Sequence, residues 1–125
     1  FSRRTCYGLG QALDITAMQK AAELLCGTHD YKSFCGNKKM KKSTVRTIYR
    51  IVVEQEADSS LVNLEFEGTG FLQNMVRILV GTLIEVGTGK REPGSMPEIL
   101  AALDRQAAGY TAPAEGLCLQ QVFYE

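Results

Sequence analysis

The sequence predicts an α+β domain, a mainly antiparallel sheet covered by helices, in the order α-β-β-α-α-β. Three observations predict it. Between residues 70 and 86, Leu72, Met75, Val76, Leu79, Val80, Leu83 and Val86 fall within about 140° of arc at helical spacing. Two consecutive segments, 45–54 and 61–67, carry strand-type residues. Helices and strands follow one another without the regular alternation that builds a parallel sheet.

Each element has its own signal. Residues 1–13 are basic and then glycine-bearing at Gly8 and Gly10, and read as a tail or linker before a domain spanning 14–125. The chain opens on Phe1 rather than Met and is read as a piece of a longer one. A helix follows, capped by Asp14 or Thr16, with Gln19 completing a capping box from Thr16. Met18, Ala21, Ala22 and Leu25 line one face, and Gly27 ends it. Residues 28–43 read as a long loop. Residues 45–54 hold Val45, Thr47, Ile48, Tyr49, Ile51, Val52 and Val53. Apolar side chains at both parities there suggest a strand buried on two sides. Residues 61–67 alternate Val62, Leu64 and Phe66 with Asn63, Glu65 and Glu67, the pattern of a half-buried strand. Ala57-Asp58-Ser59-Ser60 makes the hairpin loop between them. Gly87 and Gly89 stop the long helix. Ser95 with Glu98 forms another capping box, and Met96, Ile99, Leu100 and Leu103 give the next helix its apolar side. Pro113 and Gly116 bracket a turn before a last strand, 117–124.

Composition bounds the function classes. A chain of 125 residues with 45% hydrophobic and 22% charged residues is an ordinary globular domain. Folding buries about two-thirds of its surface, so it needs neither disulfides nor a metal to hold a core. No run of apolar residues is long enough to span a bilayer, and no signal peptide opens the chain. Cys6, Cys26, Cys35 and Cys118 form no C-x-x-C pair, which fits a reduced, cytoplasmic setting. Cys26, His29 and Cys35 match no zinc spacing and lack a fourth ligand, so no metal is expected. The net charge of zero hides a split. Residues 1–50 hold ten Lys/Arg against three acids, and residues 51–125 hold four against eleven. Either one face binds a polyanion, or an acidic and a basic surface meet between subunits, or the halves interleave in space and the field cancels.

Candidate chemistry is sparse. His29 is the sole histidine, and no serine sits in a nucleophile-elbow context. Asp14 reads as a cap, Asp58 as a turn residue and Asp104 as a helix-end residue, while Asp30, in an irregular loop beside His29, is either a loop brace or the one aspartate worth testing for catalysis. Gly87-Thr88-Gly89-Lys90 echoes a phosphate loop but follows a helix, the wrong context. Lys38, Lys39, Lys41 and Lys42 form a basic cluster that either is a solvated loop or neutralises phosphates of an RNA. Arg77 stands at the border of the apolar stripe of the long helix. It either snorkels to solvent or reaches into a cleft to pair with a carboxylate, for which its planar fork is suited. Gly81, one turn along, leaves room for another backbone or a ligand, or is a tolerated weak spot.

Several ordered segments carry a resemblance. They are Gly27-Thr28-His29-Asp30-Tyr31-Lys32-Ser33-Phe34, Thr44-Val45-Arg46-Thr47-Ile48, Gly70-Phe71-Leu72-Gln73-Asn74-Met75-Val76-Arg77 and Gly81 through Gly89. Asp104-Arg105, Ala108-Gly109 and Thr111 through Leu119 complete the set. In this order they resemble the C-terminal half of the bacterial tRNA pseudouridine synthase A family. The resemblance implies isomerisation of uridine to pseudouridine in the tRNA anticodon arm, without a cofactor. It implies that Arg77 pairs with the catalytic aspartate and that Leu117 packs near the target base. The family's aspartate lies in its N-terminal half, in a G-R-x-D type motif that this chain lacks, so the isolated chain is expected to be inactive. Tyr31 stands where the family more often has Phe. The implied fold is half of a continuous mixed sheet, with tRNA, the N-terminal half and a second subunit of a homodimer as partners and no membrane. On charge, and not on the resemblance, which carries no role over to the Lys38–Lys42 loop, Lys38, Lys39, Lys41, Lys42 and Arg46 are the expected RNA contacts. The alternative is a non-catalytic RNA-binding or dimerisation module on the same scaffold.

Overall fold

The computed structural model describes residues 2–8, 14–36, 43–55, 61–70, 74–112 and 120–122. The chain runs β1 (Ser2–Gly8), α1 (Ile15–Leu25), β2 (Gly27–Asp30), β3 (Val45–Gln55), β4 (Leu61–Gly68), α2 (Met75–Gly87), α3 (Met96–Ala102) and β5 (Gln120–Val122). The strands form one sheet in the order β2-β3-β4-β1-β5, and every neighbouring pair is antiparallel. This is the expected α+β class, with two strands that sequence reading placed elsewhere.

β1 is the first correction. The segment read as tail pairs with β4 along its whole length and with β5 at Ser2–Arg4. Its arginines gave it the look of a linker. Its strand character comes from backbone partners far along the chain, which no local pattern reports. β2 is the second. It is four residues at the sheet edge, inside what was read as loop. Beyond it Tyr31 and Phe34 are fully buried, in a corner stapled by hydrogen bonds from Tyr31 Oη to the carbonyls of Leu25 (2.7 Å) and Gly27 (3.0 Å). Burial pushes the Tyr31 phenol well above its usual range, so it serves as a neutral donor.

β3 also differs in kind. Ile51 and Val53 face Phe66 and Leu64 on the core side. Ile48 is buried too, although its parity is opposite, because the register shifts between Ile48 and Arg50. Tyr49 is the extra residue of this bulge and is 68% exposed. Apolar residues at both parities therefore record a bulge rather than two-sided burial. On the outer face Arg50 pairs with Glu65 (3.1 Å) and Glu67 (2.9 Å). Here the basic half of the sequence interleaves with the acidic half.

The helices close the other face. α1 starts at Asp14, whose carboxylate accepts from Ala17 N–H (3.1 Å). The expected capping box from Thr16 does not form, and Gln19 instead donates to Val53 O (2.9 Å), tying α1 to β3. Met18, Ala21, Ala22 and Leu25 face the core as expected. α2 begins at Asn74, in the left-handed region, and Gly89 follows its end at φ +85°. α3 is shorter than the pattern suggested. Leu103 leaves the helix at φ 51° and is exposed, and Ser95 donates to Glu92 O rather than capping.

One buried polar link crosses the helical layer. Ser33 Oγ donates to Ile99 O (2.7 Å) and accepts from Asp104 N–H (3.0 Å). Ser33→Ala removes the donor to the buried Ile99 carbonyl and the acceptor of the part-buried Asp104 N–H, so a loss of about 1–3 kcal/mol is expected in urea unfolding. An unchanged midpoint would show that water replaces the hydroxyl.

Candidate functional site

α2 is buried nearly all round. From Met75 to Gly87 only Arg77 and Glu85 are not buried. With Gly81 between them, these residues sit at i, i+4 and i+8, one row along the helix. A strap of irregular chain, residues 107–112, lies along that row in the opposite direction. The apolar stripe read from sequence was therefore too narrow. Ile78, Thr82 and Ile84 are buried as well, Thr82 against Gly109 of the chain that folds back over the helix.

The strap is pinned at each step. Arg91 Nε donates to Glu85 Oε2 (2.5 Å), and its Nη1 donates to Ala107 O (2.9 Å). Gly109 N–H donates to Thr82 Oγ1 (2.9 Å), which in turn donates to Ile78 O (2.8 Å). The Arg105 fork reaches Gly109 O through Nη1 (2.7 Å) and Thr111 Oγ1 through Nη2 (3.0 Å). Ala112 N–H donates to Arg77 O (3.0 Å), and Arg77 Nε donates back to Ala112 O (2.7 Å). Two glycines permit this approach. A Cβ on Gly81 would stand 1.8 Å from Tyr110 O, and one on Gly109 would stand 2.8 Å from Thr82 Cα. Of the two readings of Gly81, close approach of another backbone is correct.

Arg77 is thereby oriented rather than free. Nε is committed to the strap, Nη1 lies 3.5 Å from Asn74 Oδ1, and among the described residues Nη2 meets no acceptor. The guanidinium is half-buried at the first turn of α2. A fixed cation with part of its fork unused is suited to receiving a carboxylate from elsewhere.

The other expected site residues fall differently. Leu117, Lys38, Lys39, Lys41 and Lys42 lie outside the described residues. Arg46 is on β3 opposite His29, and its Nη1 donates to the carbonyls of Ser43 (2.8 Å) and Val45 (2.7 Å). Among the described residues no hydrogen bond or ion pair links it to Arg77. His29 donates from Nε2 to Cys26 O (2.9 Å). Asp30 accepts from Lys32 N–H (3.1 Å) and Thr44 Oγ1, so both residues brace the corner after α1. Cys26 Sγ donates to Ala22 O (3.3 Å), and burial pushes its thiol up, the more so with Glu23 nearby, against a backbone hydrogen bond from Ile51. Sequence reading gave no role to Arg91, Thr82 or Arg105. Apart from the Glu85 carboxylate that Arg91 meets, their partners are backbone groups and a hydroxyl brought near by the tertiary turn, so only the resembling segments Gly81–Gly89 and Asp104-Arg105 hinted at Thr82 and Arg105.

Residues 21–125 match the family described as tRNA pseudouridine synthase. The chain is 50% identical over all its 125 residues to tRNA pseudouridine synthase A of Geobacillus kaustophilus, covering 48% of that protein. It is 54% identical over 112 residues, 90% of the chain, to the protein of the same name from Brevibacillus brevis, covering 45% of it. With the Geotalea uraniireducens tRNA pseudouridine synthase A it shares 44% over 123 residues, 98% of this chain and 50% of that one. The chain thus spans about half the length of the curated relatives it matches. Matched over most of its residues and with motifs in the family's order, it belongs to the tRNA pseudouridine synthase family.

Proposed function

We propose that this chain is the C-terminal half of a cytoplasmic, homodimeric enzyme that isomerises uridine to pseudouridine in the anticodon arm of tRNA. It contributes Arg77 and Leu117 to an active site shared with the N-terminal half, which brings the catalytic aspartate. The observation that carries this reading is the oriented guanidinium of Arg77, with Nε held by Ala112 O and Nη2 meeting no acceptor among the described residues. A carboxylate placed against that fork stays ionised at neutral pH, because the adjacent cation favours its charged form. Leu117 offers an apolar surface to a uracil lifted out of its stack. Lys38, Lys39, Lys41, Lys42 and Arg46 neutralise tRNA phosphates, without base-specific readout. No cofactor takes part.

The test compares the full-length protein with this chain alone on unmodified tRNA, with pseudouridine read by chemical mapping. Product from the full-length protein and none from the isolated chain is expected. Product from the isolated chain would show that the aspartate is not required from outside. No product from either would favour the RNA-binding or dimerisation module.

A further inference from the structure

The strap over α2 has two anchors that belong to neither the helix nor the reaction as proposed, Arg91 at its start and Arg105 along its middle. Arg105 lies in the 3-10 turn Arg105–Ala107 and spends both arms of its fork on the strap, on Gly109 O (2.7 Å) and Thr111 Oγ1 (3.0 Å). These are the residues immediately before Ala112, whose carbonyl sets the position of Arg77 Nε at 2.7 Å. The strap has no regular secondary structure to fix its register. Its register comes instead from a ladder of side-chain partners: Arg91 donating to Ala107 O, Thr82 Oγ1 accepting from Gly109 N–H, Arg105 donating to Gly109 O and Thr111 Oγ1, and Arg77 donating to Ala112 O. Remove the Arg105 rung and nothing described holds the strap between Gly109 N–H and Ala112.

We propose that Arg105 is a positioning residue for pseudouridine formation, holding the Gly109–Thr111 segment so that Ala112 O can orient the Arg77 guanidinium. The kinetic part rests on the synthase reading; the structural part does not. A planar fork is required, because the two acceptors are bridged simultaneously. A lysine holds one of them and leaves the other unpaired. Displacing Arg77 by as little as about 1 Å is enough to lower turnover by up to roughly 100-fold, while contacts to the tRNA backbone elsewhere are unaffected.

The experiment uses the full-length protein and the variants Arg105→Ala, Arg105→Lys and Thr111→Val. It measures kcat and KM on tRNA together with amide hydrogen exchange. Arg105→Ala is expected to lower kcat roughly 10- to 100-fold with KM within about twofold, Arg105→Lys to recover part of it, and Thr111→Val to lie between. Exchange at the Ala112 N–H is expected to rise roughly tenfold, with the α1 amides unchanged. Thr111→Val loses only one hydroxyl, so it carries the test if Arg105→Ala does not fold. Unchanged kcat in both variants, or a uniform rise of exchange throughout the domain, overturns the positioning role. Absence of product from the wild type overturns the synthase reading and the positioning role with it. Ala112 exchange then decides separately whether Arg105 holds the strap.

Discussion

Replacing Arg77 with Ala in the full-length protein is expected to lower kcat roughly 100- to 1000-fold, the scale seen when one preorganised charged or hydrogen-bonding partner is removed from an active site. Folding should largely survive. The Arg77 backbone keeps its bond from Ala112 N–H, and the side chain is half-exposed, so its loss opens no core cavity. Arg77→Lys should recover little, because an ammonium cannot hold Ala112 O and still present a planar fork to a carboxylate. A pH profile distinguishes this role from a structural one. Under the proposed function the cation holds the aspartate's pKa down, so in the Ala variant that pKa rises and the acid limb of kcat/KM moves to higher pH. A variant with wild-type turnover and an unmoved acid limb would remove Arg77 from the site.

The second large effect is on the fold. Gly81→Val is expected to destabilise the domain by about 3 kcal/mol or more, at the upper end of overpacking costs. The added carbon would lie 1.8 Å from Tyr110 O, against backbone that the strap's anchors keep from moving aside. Gly81→Ala should already cost a large part of this, even though Ala favours helix by about 1 kcal/mol over Gly. The sign of that substitution therefore discriminates. A Gly81→Ala variant that unfolds at higher urea than the wild type would mean the strap does not lie on α2. A destabilised one should also lose turnover at temperatures where it is still folded, because the same strap sets Arg77.

Much of the fold was legible in the chain because local pattern and burial coincide. The α1 face of Met18, Ala21, Ala22 and Leu25, and the β4 alternation of Val62, Leu64 and Phe66, are buried as their periodicity requires. Where the two part company, local reading failed. β1 is polar and takes its strand state from β4 and β5. β3 hides a bulge whose shifted register mimics two-sided burial. The corner at Tyr31 and Phe34 looked like loop because a four-residue edge strand and a 3-10 turn carry no usable period.

By itself the sequence determined the class of the domain and its family, and it singled out Arg77 and Gly81 on α2 with two readings open for each. Helical phase and ordered motifs are properties of near neighbours in the chain. Only the tertiary structure decided what those residues meet. The Arg77, Gly81 and Glu85 row becomes a seat when residues 107–112 return across it, and Arg105 acquires a role through carbonyl and hydroxyl partners on that strap. Backbone carbonyls are alike at every position in a sequence. Which of them meets a guanidinium is settled by the path of the folded chain, and that path is set by long-range packing.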